Sequence, residues 1–220
     1  MKALPAPEPI AVASAGTSLA ALLWPAPAEA PGVVVVHGHL SRKENHADFA
    51  EACAAAGMAA LAIDLRGHGG SAGAPDAGML DDVLAGLATL RGRGHTRLGL
   101  RGSSLGGFLA LNAAARDRAV RAVVAICPAP AAGLARRLGA SWPLSLPLEA
   151  AVTAAGRVAR GYWHAAGDEQ VPWASTAALA RVTPEPTRVR ILPGGGHRTL
   201  QHDPAVLLET LAFLRGHLRA

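Results

Sequence analysis

The sequence predicts an α/β fold built on one mostly parallel sheet of about eight strands, opened by an N-terminal antiparallel hairpin and covered by helices on both faces. Three observations carry this expectation. Short, wholly apolar, β-branched runs such as "GVVVV" and "MAALAI" recur along the chain, as strands buried on both faces require. Alanine- and leucine-rich helical segments alternate with them, which calls for right-handed crossovers. Polar and glycine-rich stretches follow one strand after another, where an open parallel sheet keeps its binding crevice.

The elements follow in order. "IAVAS", a turn containing Gly16, and "SLAALLW" form the hairpin. Its prolines, single lysine and internal Gly16-Thr17 argue against a secretory signal. "GVVVVHG" (32–38) is the first parallel strand, and "SRKENHADFAEACAAAG" is helical with Gly57 as its stop. "MAALAIDL" (58–65) is a strand that runs into the loop "RGHGGSAGAPDAG". Next come the helix "MLDDVLAGLATLRGRG", the strand "TRLGLRG", the helix "LGGFLALNAAARD" and the strand "AVRAVVAIC" (119–127). From Pro128 to about Ala155 the chain reads as irregular and proline-rich. "RGYWHAAGD" is a strand and its loop, "ASTAALARV" a helix, and "TRVRILPGGGH" a strand and loop. In the terminal helix, "DPAVLLETLAFLRGHL", Asp203 is placed as N-cap and Pro204 at the first helical position.

Composition narrows the classes. At 220 residues the chain is expected to form one domain, residues 1–220, able to bury a full core without staples. The net charge of +5 comes from scattered arginines, with no basic run and no interleaved aromatics, so a nucleic-acid partner is not expected. No apolar stretch is long enough to span a membrane. The two cysteines, Cys53 and Cys127, fall in apolar patterns without metal-ligand spacing, which points to buried thiols and a cytoplasmic setting. A monomer or a homodimer is expected.

The polar residues at the strand ends carry the chemistry. Ser103-Ser104, Asp168 and His197 each follow a predicted strand, and so fall on one rim of the sheet. In "GSSLG" only Ser104 fits the centre of G-x-S-x-G. The central residue takes a strained backbone, and the glycines two before and two after let strand and helix approach closely. Ser104 Oγ then points into the crevice, and the Leu105 amide, at the start of a helix, can bind a developing oxyanion. The competing account of a serine in this position is a simple helix N-cap.

The chain resembles the α/β-hydrolase family along nearly its whole length, through "VVVVHGH", "AIDLRGHGGSAG", "GSSLGG", "AAGDEQVP" and "GGGH". The resemblance implies Ser104 as nucleophile, Asp168 as the acid and His197 as the general base. It further implies an oxyanion loop at His37-Gly38-His39, with the His39 amide as donor or, alternatively, that of Leu40. It places a short cap-like insertion at about 128–155, too small for a full helical lid. Leu40, Trp142 and Trp173 are the expected substrate-binding residues.

Rivals remain at several positions. Glu169 competes with Asp168, and His202 with His197. Asp64 is expected to organise its loop by binding backbone amides near Arg66 and Gly67. His68 reads as a structural loop residue and His164 as a buried support. An H-x-H pair, His37 and His39, together with His46 and Asp48, has metal-ligand character, yet the oxyanion turn accounts for it better; no metal and no organic cofactor is expected.

The expected activity is hydrolysis of small-molecule esters of short or medium acyl chains through an acyl-enzyme at Ser104. Acyl thioesters, or amides and peptides, are the alternatives within the same fold. A dehalogenase is excluded because its elbow carries an aspartate; cofactor-free haloperoxidase activity shares the same residues. A binding protein with a vestigial site is the alternative of another class.

Overall fold

The computed structural model describes residues 6–139 and 147–219. Eight strands form one sheet: β1 (Glu8–Ser14), β2 (Thr17–Trp24), β3 (Gly32–Val36), β4 (Ala59–Ile63), β5 (Leu98–Ser103), β6 (Val120–Ile126), β7 (Ala159–Ala165) and β8 (Thr187–Leu192). Their order is β1-β2-β4-β3-β5-β6-β7-β8. β2 pairs antiparallel with both β1 and β4, and every other pairing is parallel. The predicted hairpin and mostly parallel sheet are therefore present.

The helices are α1 (Ala47–Ala55), α2 (Met79–Gly92), α3 (Leu105–Arg116), α4 (Ala131–Leu138), α5 (Leu148–Ala154), α6 (Trp173–Val182) and α7 (Pro204–Leu218). β3 shows why two layers are needed. Val34 and Val36 pack with Leu61, Leu100 and Phe108, while Val33 and Val35 pack with Phe49, Ala60 and Leu214. Successive strand residues point to opposite faces, so a run of four valines buries itself only between two helical layers. α2, α3, α5 and α6 cover one face, and α1 and α7 the other. Asp203 caps α7 as expected, accepting from the Ala205 and Val206 amides at 2.8 and 3.1 Å.

The insertion departs from its sequence reading. Its described parts form α4 and α5, with Pro130 and Pro147 at their N-caps in extended backbone. Proline lacks an amide hydrogen, but the positions that open a helix do not need one. The prolines that read as breakers thus mark helix starts.

The strand order reverses at β3, which lies between β4 and β5. Such a switch point leaves a crevice beyond the carboxyl ends of the strands. His37–His39 after β3 and Ser104 after β5 flank it.

Candidate active site

Ser104 has φ 52° and ψ −115°, a strained conformation that a non-glycine residue keeps only where its surroundings fix it. Here they do. A Cβ on Gly102 would lie 2.1 Å from the Gly106 carbonyl oxygen, and one on Gly106 would lie 2.2 Å from that of Val36. Both elbow glycines are therefore required by close approach. The Ser104 amide donates to Ile126 O at 2.9 Å, and the Ser104 carbonyl accepts from Phe108 and Ala129. Among the described residues the amides of His39 and Leu105 have no hydrogen-bond acceptor. A helix leaves its first amides unpaired for just such a ligand.

His197 is 8% exposed. Its Nδ1 lies 2.7 Å from Asp168 Oδ2, and its backbone amide donates to Glu169 Oε2 at 3.3 Å. The two neighbouring acids thus divide their work: Asp168 holds the ring, Glu169 the backbone. Asp168 is surrounded by donors. The amides of Gln170 and Val171 each reach Oδ1 at 2.8 Å, and His164 Nε2 lies 3.2 Å from Oδ2. Burial pushes its carboxyl upward, but the bonds from His164, His197 and the two amides outweigh burial and hold it well below the usual carboxylate range.

Ser104 and His197 line one cavity of about 180 Å³ together with Gly38, His39 and Leu40. Leu40 sits at its rim, 77% exposed. A smaller cavity of about 90 Å³ also reaches Ser104 and lies beneath α4, lined by Ala129, Pro130, Leu134, Val171 and Pro172. Trp173 belongs to neither cavity. It is 43% exposed, at the start of α6. Trp142 lies outside the described residues.

His202 shares the larger cavity, but its Nδ1 pairs with Asp48 Oδ2 at 2.9 Å. His37 is buried, with Nδ1–H donating to its neighbour Gly38 and Nε2 accepting the Leu65 amide at 3.0 Å. It ties the His37–His39 turn to the loop after β4. His68 packs against the rings of His37 and His39.

Asp64 does organise a loop, through other partners than expected. It takes the amides of Lys43 and Gly70 and the Lys43 ammonium at 2.6, 2.8 and 2.7 Å. Arg66 turns instead to Asp82 and Asp76. Lys43 carries no motif, and only its fold places it there.

Sequence reasoning also missed Cys127. It has φ 45°, and its Sγ falls within 4.8 Å of the ligand atoms of Asp168 and His197. The thiol stays protonated: burial pushes its pKa well above the usual thiol range. The cysteine, one residue past β6, lies beside the acid–imidazole pair.

A serine at a strained elbow and an acid–imidazole pair at one rim of this sheet define an α/β hydrolase. The chain belongs to the Hydrolase_4 family, described as serine aminopeptidase, S33, whose model matches residues 28–163. A thiohydrolase from Eupenicillium brefeldianum is 32% identical over 122 residues, which is 51% of this chain and 40% of that protein. The match spans less than half of that relative's length. Among solved structures, the α/β hydrolase GrgF from Penicillium sp. sh18 has a TM-score of 0.80 at 19% identity, covering 98% of this chain and 99% of its own. Est1E from Butyrivibrio proteoclasticus, solved with ferulic acid, has a TM-score of 0.74 at 22% identity, covering 95% and 98%. At these identities the structures show a shared fold. No helix among the described residues is long and apolar enough to cross a membrane.

Proposed function

We propose that the protein is a serine hydrolase that cleaves small carboxylic esters of short or medium acyl chains through an acyl-enzyme at Ser104. The observation that carries this is the bond from His197 Nδ1 to Asp168 Oδ2, with His197 and the strained Ser104 lining one cavity. With Nδ1–H committed to the carboxylate, Nε2 keeps its lone pair for the serine proton. Ser104 Oγ attacks the acyl carbon as His197 takes its proton, and the carbonyl oxygen gains the charge. The unpaired Leu105 and His39 amides receive that oxyanion, one donor of this kind contributing about 3–4 kcal/mol in comparable sites. The imidazolium, stabilised by Asp168, returns the proton to the leaving oxygen; water then repeats the sequence to free the acid.

Thioester cleavage is the second reading, favoured by the thiohydrolase relative. It uses the same steps with a thiol leaving group. The family's description names an aminopeptidase, and amide cleavage is the third. Two free, buried thiols, Cys53 and Cys127, agree with work in the cytoplasm.

The test is a fluorophosphonate probe with mass mapping, alongside hydrolysis of p-nitrophenyl butyrate. Labelling at Ser104 and turnover are expected. Folded protein that neither labels nor turns over would instead be a binding protein with a vestigial site.

A further inference from the structure

We propose that the leaving group of the substrate carries an anionic oxygen group, a carboxylate, held at the mouth of the larger cavity by Arg137 and Arg198. This rests on the hydrolase reading above and names the substrate class of that same site.

The two cavities at Ser104 differ in chemistry. The smaller one has a wall of Ala129, Pro130, Leu134, Val171 and Pro172, with Arg136, Arg137 and Gln170 on its other side, and does not reach His197. The larger one contains His197, Arg198, Gln201 and His202. Proton return requires the leaving oxygen to lie beside the imidazole, so the leaving group extends into the larger cavity. The acyl chain is left the smaller one, along its Ala129, Pro130, Leu134 and Val171 wall.

Among the described residues, Leu40 is the only aliphatic side chain lining the larger cavity, and no acidic residue lines it. Two guanidiniums do, that of Arg198 in this cavity alone and that of Arg137 where the two cavities meet. Arg198 is exposed; its carbonyl accepts from Gln201 Nε2, but its guanidinium has no hydrogen-bond or ion-pair partner among the described residues. Arg137, from α4, reaches across to the Gln170 side-chain oxygen, which neutralises none of its charge. Its charge is felt on the oxyanion loop. Burial lowers the His39 pKa most, followed by the charges of His68 and Arg137.

The neighbouring acids are already engaged. Asp48 pairs with His202, Asp168 with His197, and Glu169 accepts from the His197 backbone amide and from Gln170 Nε2. Below Gln201, Arg101 is 1% exposed and paired with no carboxylate among the described residues, and its Nη2 donates to the Gln201 carbonyl at 2.7 Å. A cleft with charges of one sign and low-dielectric walls concentrates ligands of the opposite sign. The planar guanidinium fork suits a carboxylate in particular.

The test compares 4-(butyryloxy)benzoate with its methyl ester, and with 4-(butyryloxy)phenyl phosphate, each rate divided by the probe's hydroxide-catalysed rate. The kcat/KM ratio of the benzoate to its methyl ester is expected to be on the order of ten, as for one or two partly screened charge contacts. Raising salt shrinks it. Arg198→Gln and Arg137→Gln each lower the ratio several-fold, Arg198→Lys retains part of it, and Arg198→Glu brings it below one. These arginines are exposed, so the variants are expected to fold. A faster phosphate ester assigns the anion to phosphate and keeps the anionic class. A ratio of one or less in the wild type, or a ratio that none of the variants moves, overturns the proposal. If Ser104 still labels in that case, the hydrolase reading survives; if nothing labels or turns over, both fall.

Discussion

His164 and His197 meet on one oxygen of Asp168: Nε2 of the first lies 3.2 Å from Oδ2, and Nδ1 of the second 2.7 Å. His164 is fully buried in β7. Its Nε2 faces only acceptors, Asp168 and the Val171 carbonyl at 2.9 Å, and so carries the proton. Nδ1 then accepts from the Thr176 hydroxyl at 2.7 Å. The buried histidine aims the carboxylate that aims His197, the proposed general base. His164→Phe is expected to lower kcat on p-nitrophenyl butyrate about tenfold or more with little change in KM, since it removes one hydrogen bond to a charged group. His164→Asn should recover part of the loss. A change confined to KM would refute this role.

Asp168→Asn keeps the shape of the site but offers His197 an amide, which favours the wrong tautomer. By analogy with other triads the loss in kcat is on the order of 10⁴. Glu169→Gln should stay within about threefold, because Glu169 is exposed and bonds the backbone of His197 rather than its ring. Steady-state kinetics of the two variants decide which acid is used. An active Asp168→Asn beside a dead Glu169→Gln would reassign the acid.

Ser104→Ala is expected to abolish turnover and fluorophosphonate labelling, while Ser103→Ala retains most of both. Ser103 ends β5 and lines the cavity without the left-handed backbone of its neighbour. Gly106→Ala should fail differently. Its Cβ would collide with backbone oxygens rather than with movable side chains, so a loss of several kcal/mol of stability, read as a lowered Tm, accompanies inactivity.

Much of this was legible because it is periodic or local. "GVVVV" buries on both faces wherever it is placed, Asp203-Pro204 caps its own helix, and "GSSLG" specifies its own bend. The missed features join residues far apart in sequence. Lys43 meets Asp64 only because the turn before α1 folds over the end of β4. Glu169 reaches the His197 backbone only because β7 and β8 are neighbours. Pro130 and Pro147 misled for a local reason: a proline that breaks a helix and one that begins a helix look alike until the next turn is seen.

His37 makes stability depend on acid. Burial is the largest cause that lowers its pKa to about 4, from 6.5. The geometry agrees, since the Leu65 amide already points at Nε2 and a second proton there would face a donor. The unfolded chain therefore takes up a proton between pH 6.5 and 4 that the native chain refuses. Stability is complete above pH 6.5 and falls as pH drops through that window, by about 3 kcal/mol for this one group. His46, also buried, adds a loss of the same sign. Urea unfolding at pH 7, 5.5 and 4 measures it, and His37→Gln should flatten the slope. An unchanged slope in that variant would exclude His37 as a cause.

Arg101 should separate stability from activity. Burial lowers its pKa to about 10, a sign of how poorly the charge is compensated. The guanidinium stacks 4.1 Å above the Phe49 ring and donates to the Gln201 carbonyl, while its Nε has no partner. Replacing a poorly paired buried charge with an apolar side chain of similar length is often neutral or stabilising, so Arg101→Met is expected to leave Tm unchanged or raise it. The same change frees the turn Leu200–His202 that follows His197. His197 then loses part of its positioning, and kcat should fall about tenfold, the equivalent of roughly 1.4 kcal/mol. Calorimetry and kinetics on one preparation distinguish the outcomes. If Tm and kcat fell together, Arg101 would be a structural residue of the core; if kcat held, its bond to Gln201 would have no part in placing the imidazole.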